Sequence, residues 1–292
     1  MSQIDLHTHS TASDGSLPPE ALVREAAGCG LRALAVTDHD TTQGLPEAMA
    51  AGRRVGVEVI PGVELSVNFT PGFMHILGLW LPERPKRLQE RLEYLQRCRR
   101  ERNQKIIAAL RDLNIELDEQ EVKDLAGEGV VGRVHIAMLL VHKQVVPDLE
   151  QAFARYVGSR GLAYVPKEKL EPAEAVSLLH AEGATVILAH PYSVDLPPDG
   201  LEEAIRELKE SGLDGVEALY SEHSPEQTAL YLSLCRKFDL AVSGGSDFHG
   251  LGRPGVSLGT GRGNLRLSAE LLQVMKHRRR ARGLWVTSAV AP

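Results

Sequence analysis

The sequence is short of cysteine and of aromatic residues, and both shortages narrow what the chain can be. Its three cysteines, Cys29, Cys98 and Cys235, are widely scattered and lack the paired spacing of a zinc ribbon. We therefore expect neither a disulfide framework nor a thiolate metal site, and a reducing cytoplasm fits this usage. Aromatic residues make up 4% of the chain, which is thin for a protein that stacks many bases along a channel.

Long apolar runs and excess positive charge are missing as well. No apolar run approaches the roughly 18 residues of a transmembrane helix. The first residues, MSQIDLH, show neither the basic start nor the apolar stretch of a signal peptide, so we expect a cytoplasmic protein with no membrane partner. Lysine and arginine number 33 against 39 acidic residues, a formal net charge of −6 that argues against a broad surface for long nucleic acid.

What the chain contains instead is an alternation of short apolar segments with longer amphipathic ones. Strands are predicted at residues 4–7, 33–37, 57–60, 185–189, 215–219 and 241–243. Helices are predicted at residues 18–27, 45–53, 172–181, 201–211 and 225–237. Such alternation predicts an α/β fold with a mainly parallel sheet and helices packed outside, most economically a barrel.

Between the two halves the strand signal disappears. Helices are predicted at residues 87–113, 118–125, 133–141 and 149–156. The sequence therefore predicts a discontinuous barrel, residues 1–83 and 161–292, interrupted by a helical subdomain at 84–160. We expect this insertion to cover the active site as a lid. Two charge runs in predicted helices, residues 97–102 and 276–280, are expected to be solvated faces.

Histidine and carboxylate residues cluster where the predicted strands end. His7 and His9 point the same way on an extended segment and make a chelating pair, although such pairs also occur as structural histidines. The other candidate donors are Asp14, His39, Glu64, His75, His190, Asp247 and His249. Nine donors exceed the needs of one metal and indicate two or three divalent ions. Imidazole and carboxylate without thiolate suit Mn²⁺, which we favour, with Fe²⁺ or Zn²⁺ as alternatives.

These motifs carry a family resemblance. HTHS with SDG, TDHD, PGVE, AHP and GSDFH, together with His75, resemble the polymerase-and-histidinol-phosphatase (PHP) family of trinuclear metal phosphoesterases. The resemblance implies a distorted seven-stranded, TIM-like (β/α) barrel. It also implies one ion on His7, His9, Glu64 and Asp247, a second on Glu64, His75 and His190 with Glu64 bridging, and a third on Asp14, His39 and His249. Asp38 has no ligand role in this pattern, and we expect it to support a histidine.

The predicted insertion contains a second motif. Arg133 and His135 lie in GRVHIAMLL, which is similar to the GRxHxAxxL stretch of one PHP branch, the 3′,5′-bisphosphate nucleotide phosphatases and related 5′-to-3′ exoribonucleases. A helix start and a guanidinium suit a phosphate, and the alternative is a solvated arginine. Arg160 and Lys167 are further candidates for binding an anion, and His223 is a candidate to face the substrate. No specific role is expected for His142, His180 or His277.

The resemblance implies an enzyme that removes the 3′-phosphate of a nucleoside 3′,5′-bisphosphate, such as adenosine 3′,5′-bisphosphate. In the hypothesised mechanism, a hydroxide bridging two ions attacks phosphorus in line. Asp247 would orient the water or accept its proton, Arg133 would stabilise the developing charge, and His223 would act as acid.

Three alternatives stand beside this reading. One is 5′-to-3′ cleavage of short 5′-phosphorylated RNA at the same site. Another is histidinol-phosphate hydrolysis, disfavoured because the insertion suits a larger ligand. The third, a non-catalytic metal-stabilised scaffold, is disfavoured by the complete ligand set. We expect a small phosphorylated nucleotide, or short RNA, as substrate and no obligate protein partner.

Overall fold

The computed structural model describes residues 3–126 and 131–286. The chain divides into two compact units. The barrel unit comprises Met1–Gln89 and Leu170–Pro292, and the helical unit comprises Glu90–Lys169. Among the described residues, no helix is long and apolar enough to cross a membrane.

Seven strands of the barrel unit form one sheet whose order follows the chain. They are β1 (Ile4–Asp5), β2 (Ala33–Val36), β3 (Glu58–Val67), β4 (Met74–Leu79), β5 (Thr185–Leu188), β6 (Gly215–Tyr220) and β7 (Ala241–Gly245). All neighbours are parallel except β4, which runs antiparallel to both β3 and β5. The Leu6 amide donates to Gly244 O at 3.3 Å and the Asp247 amide to His7 O at 2.9 Å, so the first and last strands nearly close the barrel.

Ten α-helices are described. In chain order they are α1 (Pro19–Gly28), α2 (Leu45–Val55), α3 (Lys86–Asp112), α4 (Glu119–Ala126), α5 (Arg133–His142), α6 (Leu149–Ala152), α7 (Pro172–Ala181), α8 (Pro198–Glu210), α9 (Pro225–Lys237) and α10 (Ala269–Ala281). Local sequence explains several of their ends. Proline occupies the first turn of α1, where a missing N–H costs nothing. Ser224 and Gln227 form a capping box at α9, and Gly56 ends α2 in the left-handed region.

The predicted α/β barrel is confirmed, with one change in strand direction. Strand β3 continues past the predicted end at residue 60 to Val67, and β4, which the sequence did not predict as a strand, turns back along it. The sequence prediction ended the strand at residue 60 because Pro61 and Gly62 are residue types that usually end strands. A Cβ at Gly62 would lie 2.8 Å from Thr37 Cγ2 and 2.9 Å from Gly78 O, so glycine here permits close strand packing.

Apolar side chains fill the barrel, and α10 covers part of that core. Ile4, Ile60 and Leu77 belong to one buried cluster that also contains Met275 of α10. The predicted solvated face at residues 276–280 is wrong in part, because packing against the barrel buries two of its cations.

Each buried cation of α10 has partners. Lys276 pairs with Glu58 at 2.6 Å. Arg279 donates to Thr185 Oγ1 at 2.8 Å and lies 4.9 Å from the centre of the Trp80 ring. A paired and hydrogen-bonded guanidinium can be buried without an unsatisfied charge.

The helical unit has a hydrophobic core of its own. Ile106 and Leu110 of α3 pack with Val122, Ile136 and Leu140 from the helices that follow. Its last helix, α6, passes directly into a π-helical turn at Phe153–Val157. Arg102 is 5% exposed, so the expected solvated face at residues 97–102 is wrong at this position.

Candidate metal centre

The nine predicted ligand residues all lie at one mouth of the barrel unit. His7 and His9 follow β1, His39 follows β2, His190 follows β5, and Asp247 and His249 follow β7, whereas Glu64 and His75 lie within the β3–β4 hairpin. Asp14 lies in the turn after His9. The carboxyl ends of parallel strands meet at one edge, and the antiparallel β4 brings the start of its strand to that same edge.

Backbone hydrogen bonds fix neighbouring parts of this mouth. The Glu64 amide donates to Asp38 O at 3.2 Å and the Asp40 amide donates to Glu64 O at 2.9 Å, which sets His39 beside Glu64. Both His190 (φ 24°) and Asp247 (φ 54°) adopt positive φ. Such strain in residues other than glycine persists where the surrounding structure determines it, as at functional sites.

Glu64 is the centre of the cluster. Its Oε2 lies 3.2 Å from His7 Nε2, 3.1 Å from His9 Nε2 and 3.0 Å from His39 Nδ1. Its Oε1 lies 2.8 Å from His75 Nδ1 and 3.0 Å from His190 Nε2. One carboxylate oxygen therefore faces each side of the cluster, as a bridging ligand between two cations requires.

Three groups of side chains are arranged to hold an ion, with their ligand atoms within 4.8 Å of one another. The groups are His7, His9, Glu64 and Asp247; His9, Asp14, His39 and His249; and His39, Glu64 and His75. The first equals the set that the resemblance implies for one ion. The second adds His9 to the implied third set. The third contains His39 where the resemblance implies His190, whose Nε2 lies 3.0 Å from Glu64 Oε1.

Several buried polar atoms of the cluster have no hydrogen-bond partner among the described residues. They are His7 Nε2, both ring nitrogens of His9, His39 Nδ1, Glu64 Oε2 and Asp247 Oδ1. A buried polar atom without a partner costs about 1–3 kcal/mol. All of these atoms are metal-ligand types, so cations fit the donor set and would remove this penalty.

Charge coupling within the cluster is strong. Burial alone would raise the pKa of Glu64, but His39, His7 and His75 outweigh it and hold that pKa well below its usual range. Burial opposes protonation of His9, yet Asp247 and Glu64 raise its pKa to about 10. The pKa of His39 falls to about 4, mainly because the half-buried ring loses solvation. The carboxylates are thus ionised and partly neutralised by protons that a metal ion would replace.

Two acidic residues that the sequence did not single out support the cluster from behind. Glu217 of β6 accepts a hydrogen bond from His7 Nδ1 at 3.0 Å and from the His190 amide at 2.8 Å. Asp5 of β1 accepts from the Ser246 amide at 2.9 Å and the Ser246 hydroxyl at 2.6 Å. The sequence signal for both residues was an acidic side chain inside an apolar strand. A carboxylate buried there needs hydrogen-bond partners.

Asp38 does not support a histidine as expected. It accepts hydrogen bonds of 2.7 Å from the Ser10 amide, the Ser10 hydroxyl and the Ser13 hydroxyl. It therefore holds the turn that carries Asp14.

A cavity of about 340 Å³ opens over the cluster. Its lining includes Tyr192, Tyr220 and Arg253 beside the ligand residues. The Tyr220 hydroxyl donates to Asp247 Oδ2 at 3.0 Å, and Arg253 Nη1 donates to the same oxygen. Sequence reasoning missed Arg253. Its position four residues after His249, in the same glycine-rich loop, was the signal for it.

His223 does not line this cavity. Its ring is buried, its Nδ1 donates to Ala218 O at 3.1 Å, and burial lowers its pKa. It lines a second cavity of about 530 Å³, and Tyr220 contributes to the lining of both. The His223 ring centre lies 5.0 Å from that of Tyr220, and His223 is absent from the lining of the cavity over the ligand cluster.

The four remaining predicted residues belong to the helical unit. Arg133 Nη1 donates to Val157 O at 3.0 Å, and its guanidinium lies 5.6 Å from the Tyr164 ring centre. His135 Nδ1 accepts from the Gly132 amide at 2.9 Å and closes the start of α5. Arg160 is exposed and Lys167 is half-buried.

A barrel that carries imidazole and carboxylate side chains clustered at one mouth is the arrangement of a protein with a multi-metal centre. Residues 5–157 match the PHP domain family. The chain is 36% identical over 245 residues to a 5′-3′ exoribonuclease of Haemophilus influenzae. The aligned region covers 84% of this chain and 89% of that protein. The chain belongs to the PHP domain family.

Two proteins of Chromobacterium violaceum are also similar. A 3′,5′-nucleoside bisphosphate phosphatase is 31% identical over 260 residues, covering 89% of this chain and 91% of that protein. The solved structure of an amidohydrolase with bound sulfate and no metal matches with a TM-score of 0.77 at 31% identity, covering 88% of this chain and 90% of that one.

Proposed function

We propose that this protein is a metal-dependent phosphoesterase that removes the 3′-phosphate from nucleoside 3′,5′-bisphosphates, adenosine 3′,5′-bisphosphate among them. The observation that carries the proposal is the convergence of five histidines on the two oxygens of Glu64, beneath an open cavity. The bisphosphate phosphatase of Chromobacterium violaceum, similar over 89% of this chain, supports the substrate.

The site would hold two or three divalent ions, with Mn²⁺ favoured over Fe²⁺ or Zn²⁺. The proposed ligands are His7, His9, Asp14, His39, Glu64, His75, His190, Asp247 and His249. When bound, such ions polarise the phosphate ester and lower the pKa of water. Histidine and carboxylate donors without a thiolate suit these metals.

The chain's own residues would orient the reaction. Asp247 turns Oδ1 toward the cluster while Tyr220 and Arg253 hold Oδ2, so we assign Asp247 the role of orienting the attacking water and accepting its proton. Burial and the neighbouring Asp247 raise the pKa of Tyr220, so its hydroxyl remains a donor at neutral pH. We drop His223 as the acid and as a substrate contact because it lies outside the cavity lining.

For the second phosphate we propose Arg133, His135, Arg160 and Lys167. We propose that the helical unit, Glu90–Lys169, which the sequence predicted at residues 84–160, acts as a lid. A guanidinium near a helix start is suited to phosphate. We further propose a cytoplasmic location, in keeping with three free cysteines, and no obligate protein or membrane partner.

A second candidate is stepwise 5′-to-3′ cleavage of short 5′-phosphorylated RNA. The 36% identity to an exoribonuclease favours it. The chemistry at phosphorus is shared, so the two functions differ in how much nucleic acid the site admits.

The test compares adenosine 3′,5′-bisphosphate, a 5′-phosphorylated trinucleotide and histidinol phosphate, each with Mn²⁺ added. We expect the bisphosphate to have the highest kcat/KM, and His9→Ala or Asp14→Ala to lower it by about 100-fold or more. His277→Ala is the control, because His277 is exposed on α10. Preference for the trinucleotide would favour the exoribonuclease, full activity in Asp14→Ala would mean a misassigned site, and metal binding without turnover would favour a scaffold.

A further inference from the structure

One side of the cavity is a polar wall built around Arg253. This residue follows the short 3₁₀ turn Gly250–Gly252, and its Nη2 donates to Glu222 Oε2 at 2.7 Å. Its guanidinium carbon lies 5.5 Å from the Tyr220 ring centre, which restricts the side chain. Arg253 is the only lysine or arginine among the described residues that line this cavity.

Asp247 connects this wall to the ligand cluster. Its Oδ1 lies 3.2 Å from His9 Nε2 and 3.5 Å from His7 Nε2. Its Oδ2 accepts from Tyr220 and from Arg253 Nη1. The guanidinium is therefore separated from the cluster by a single carboxylate group, so a phosphate over the cluster would lie within reach of Arg253.

Glu222 alone does not neutralise the charge of Arg253. Glu222 also accepts from Arg262 at 2.7 Å and from the Tyr192 hydroxyl at 3.0 Å. One carboxylate thus serves two guanidinium groups. A guanidinium carries five N–H donors, and the two ion pairs of Arg253 use one hydrogen each on Nη1 and Nη2, so donors remain for a ligand.

We propose that Arg253 binds the phosphate group that is cleaved, rather than the second phosphate of the substrate. The inference rests on the proposed phosphoesterase function and assigns a residue for its reacting group. With a cation held by His7, His9, Glu64 and Asp247, the Asp247 carboxylate would pair less strongly with Arg253. The guanidinium then donates to a phosphate oxygen and stabilises the charge that grows there during hydrolysis.

Two substrates, one with and one without the 5′-phosphate, test which phosphate Arg253 contacts. Arg253→Ala should lower kcat/KM by about 100-fold for adenosine 3′,5′-bisphosphate and by the same factor for adenosine 3′-phosphate, because both carry the reacting group. The inhibition or dissociation constant of inorganic phosphate should rise by about tenfold or more. Arg253→Lys keeps the charge and should recover part of the lost phosphate affinity.

Arg206→Ala is the matched control, since Arg206 pairs with Glu202 on the surface of α8 and does not line the cavity. It should leave the phosphate constant within about twofold. Bound metal, measured on every variant at saturating Mn²⁺, should stay at the wild-type value.

Three results would overturn the inference. They are a loss confined to the bisphosphate, unchanged phosphate binding in Arg253→Ala, or a loss of metal that accounts for the change in binding. If the wild type hydrolyses neither nucleotide, the proposed function fails, while direct binding of inorganic phosphate to the metal-loaded protein still tests Arg253.

Discussion

At the scale of single residues, the cluster depends on carboxylates that do not face the cavity. Glu217 is fully buried and touches both the His7 ring and the His190 backbone, so one side chain orients ligands from two strands. A partner on the second ring nitrogen fixes the tautomer and direction of a metal-binding histidine.

We therefore expect Glu217→Ala to weaken metal binding by about 10- to 100-fold, because His7 loses the group that orients it. Titration of the metal-free protein with Mn²⁺ measures the change. Glu182→Ala is the control, since Glu182 accepts from the Leu88 amide. Wild-type metal affinity in Glu217→Ala would show that packing alone orients His7.

A second residue-scale prediction concerns protons. Burial opposes protonation of His7 and His9, but the surrounding carboxylates raise the pKa of His7 above its usual value and that of His9 to about 10. The His9 ring is then protonated at pH 7 in the metal-free protein, and its contribution to folding stability, present below about pH 6.5, is lost as pH rises through about 10. The raised pKa of His7 acts in the same direction.

Metal must displace these protons, so metal affinity should rise with pH. Calorimetric titration at pH 7 in two buffers of different ionisation enthalpy should show release of about one proton or more per chain. Equal heats in both buffers would contradict the assignment of His7 and His9 as ligands.

At the scale of secondary-structure elements, the meeting of β1 and β7 sets the position of the first ligands. Gly245, the last residue of β7, approaches His7 so closely that an added Cβ would lie 2.3 Å from His7 Cβ. The contact leaves no room for a side chain.

Gly245→Ala should destabilise the fold by about 1–3 kcal/mol and lower metal affinity, because the two strands must move apart at His7. Denaturant unfolding and metal titration measure the two effects. Gly28→Ala in α1, where an added Cβ meets nothing within 4 Å, should be neutral or slightly stabilising. Equal effects of the two changes would show that the β1–β7 contact is not tight.

Local sequence patterns predicted part of the fold and of the candidate site, and contacts between distant segments determine the rest. The candidate ligands could be proposed from the sequence because burying polar side chains directly after a strand is costly unless they serve a site. Strand β4 was missed because its direction depends on pairing with β3, which no local pattern encodes. Arg253 and Glu217 were missed because their roles come from neighbours such as Asp247 and His7, far away along the chain.

At the scale of the whole molecule, all nine candidate ligands belong to the barrel unit. We expect metal to bind the folded cluster, which has no preformed counterpart in the unfolded chain. Free metal at 100 times the dissociation constant should then add about 2.7 kcal/mol of stability. The gain should be confined to that unit.

We expect Mn²⁺ to raise the melting temperature of the barrel unit, and a chelator to reverse the shift. Hydrogen exchange should slow at the carboxyl ends of β1, β2 and β7 and stay unchanged in the core around Ile106 and Leu110. Asp14→Ala should give a smaller shift. Equal protection in both units would argue that the metal binds elsewhere.

The closure of the barrel has a consequence for synthesis. Ser246 and Asp5 hydrogen-bond across 241 residues of chain, and Asp247 meets His7 and His9 at the same seam. A nascent chain on the ribosome therefore carries His7, His9 and Glu64 long before Asp247 emerges. Hydrolytic activity should arise only once the last strand has left the exit tunnel, so truncated translation products would be inert toward the cell's nucleotides.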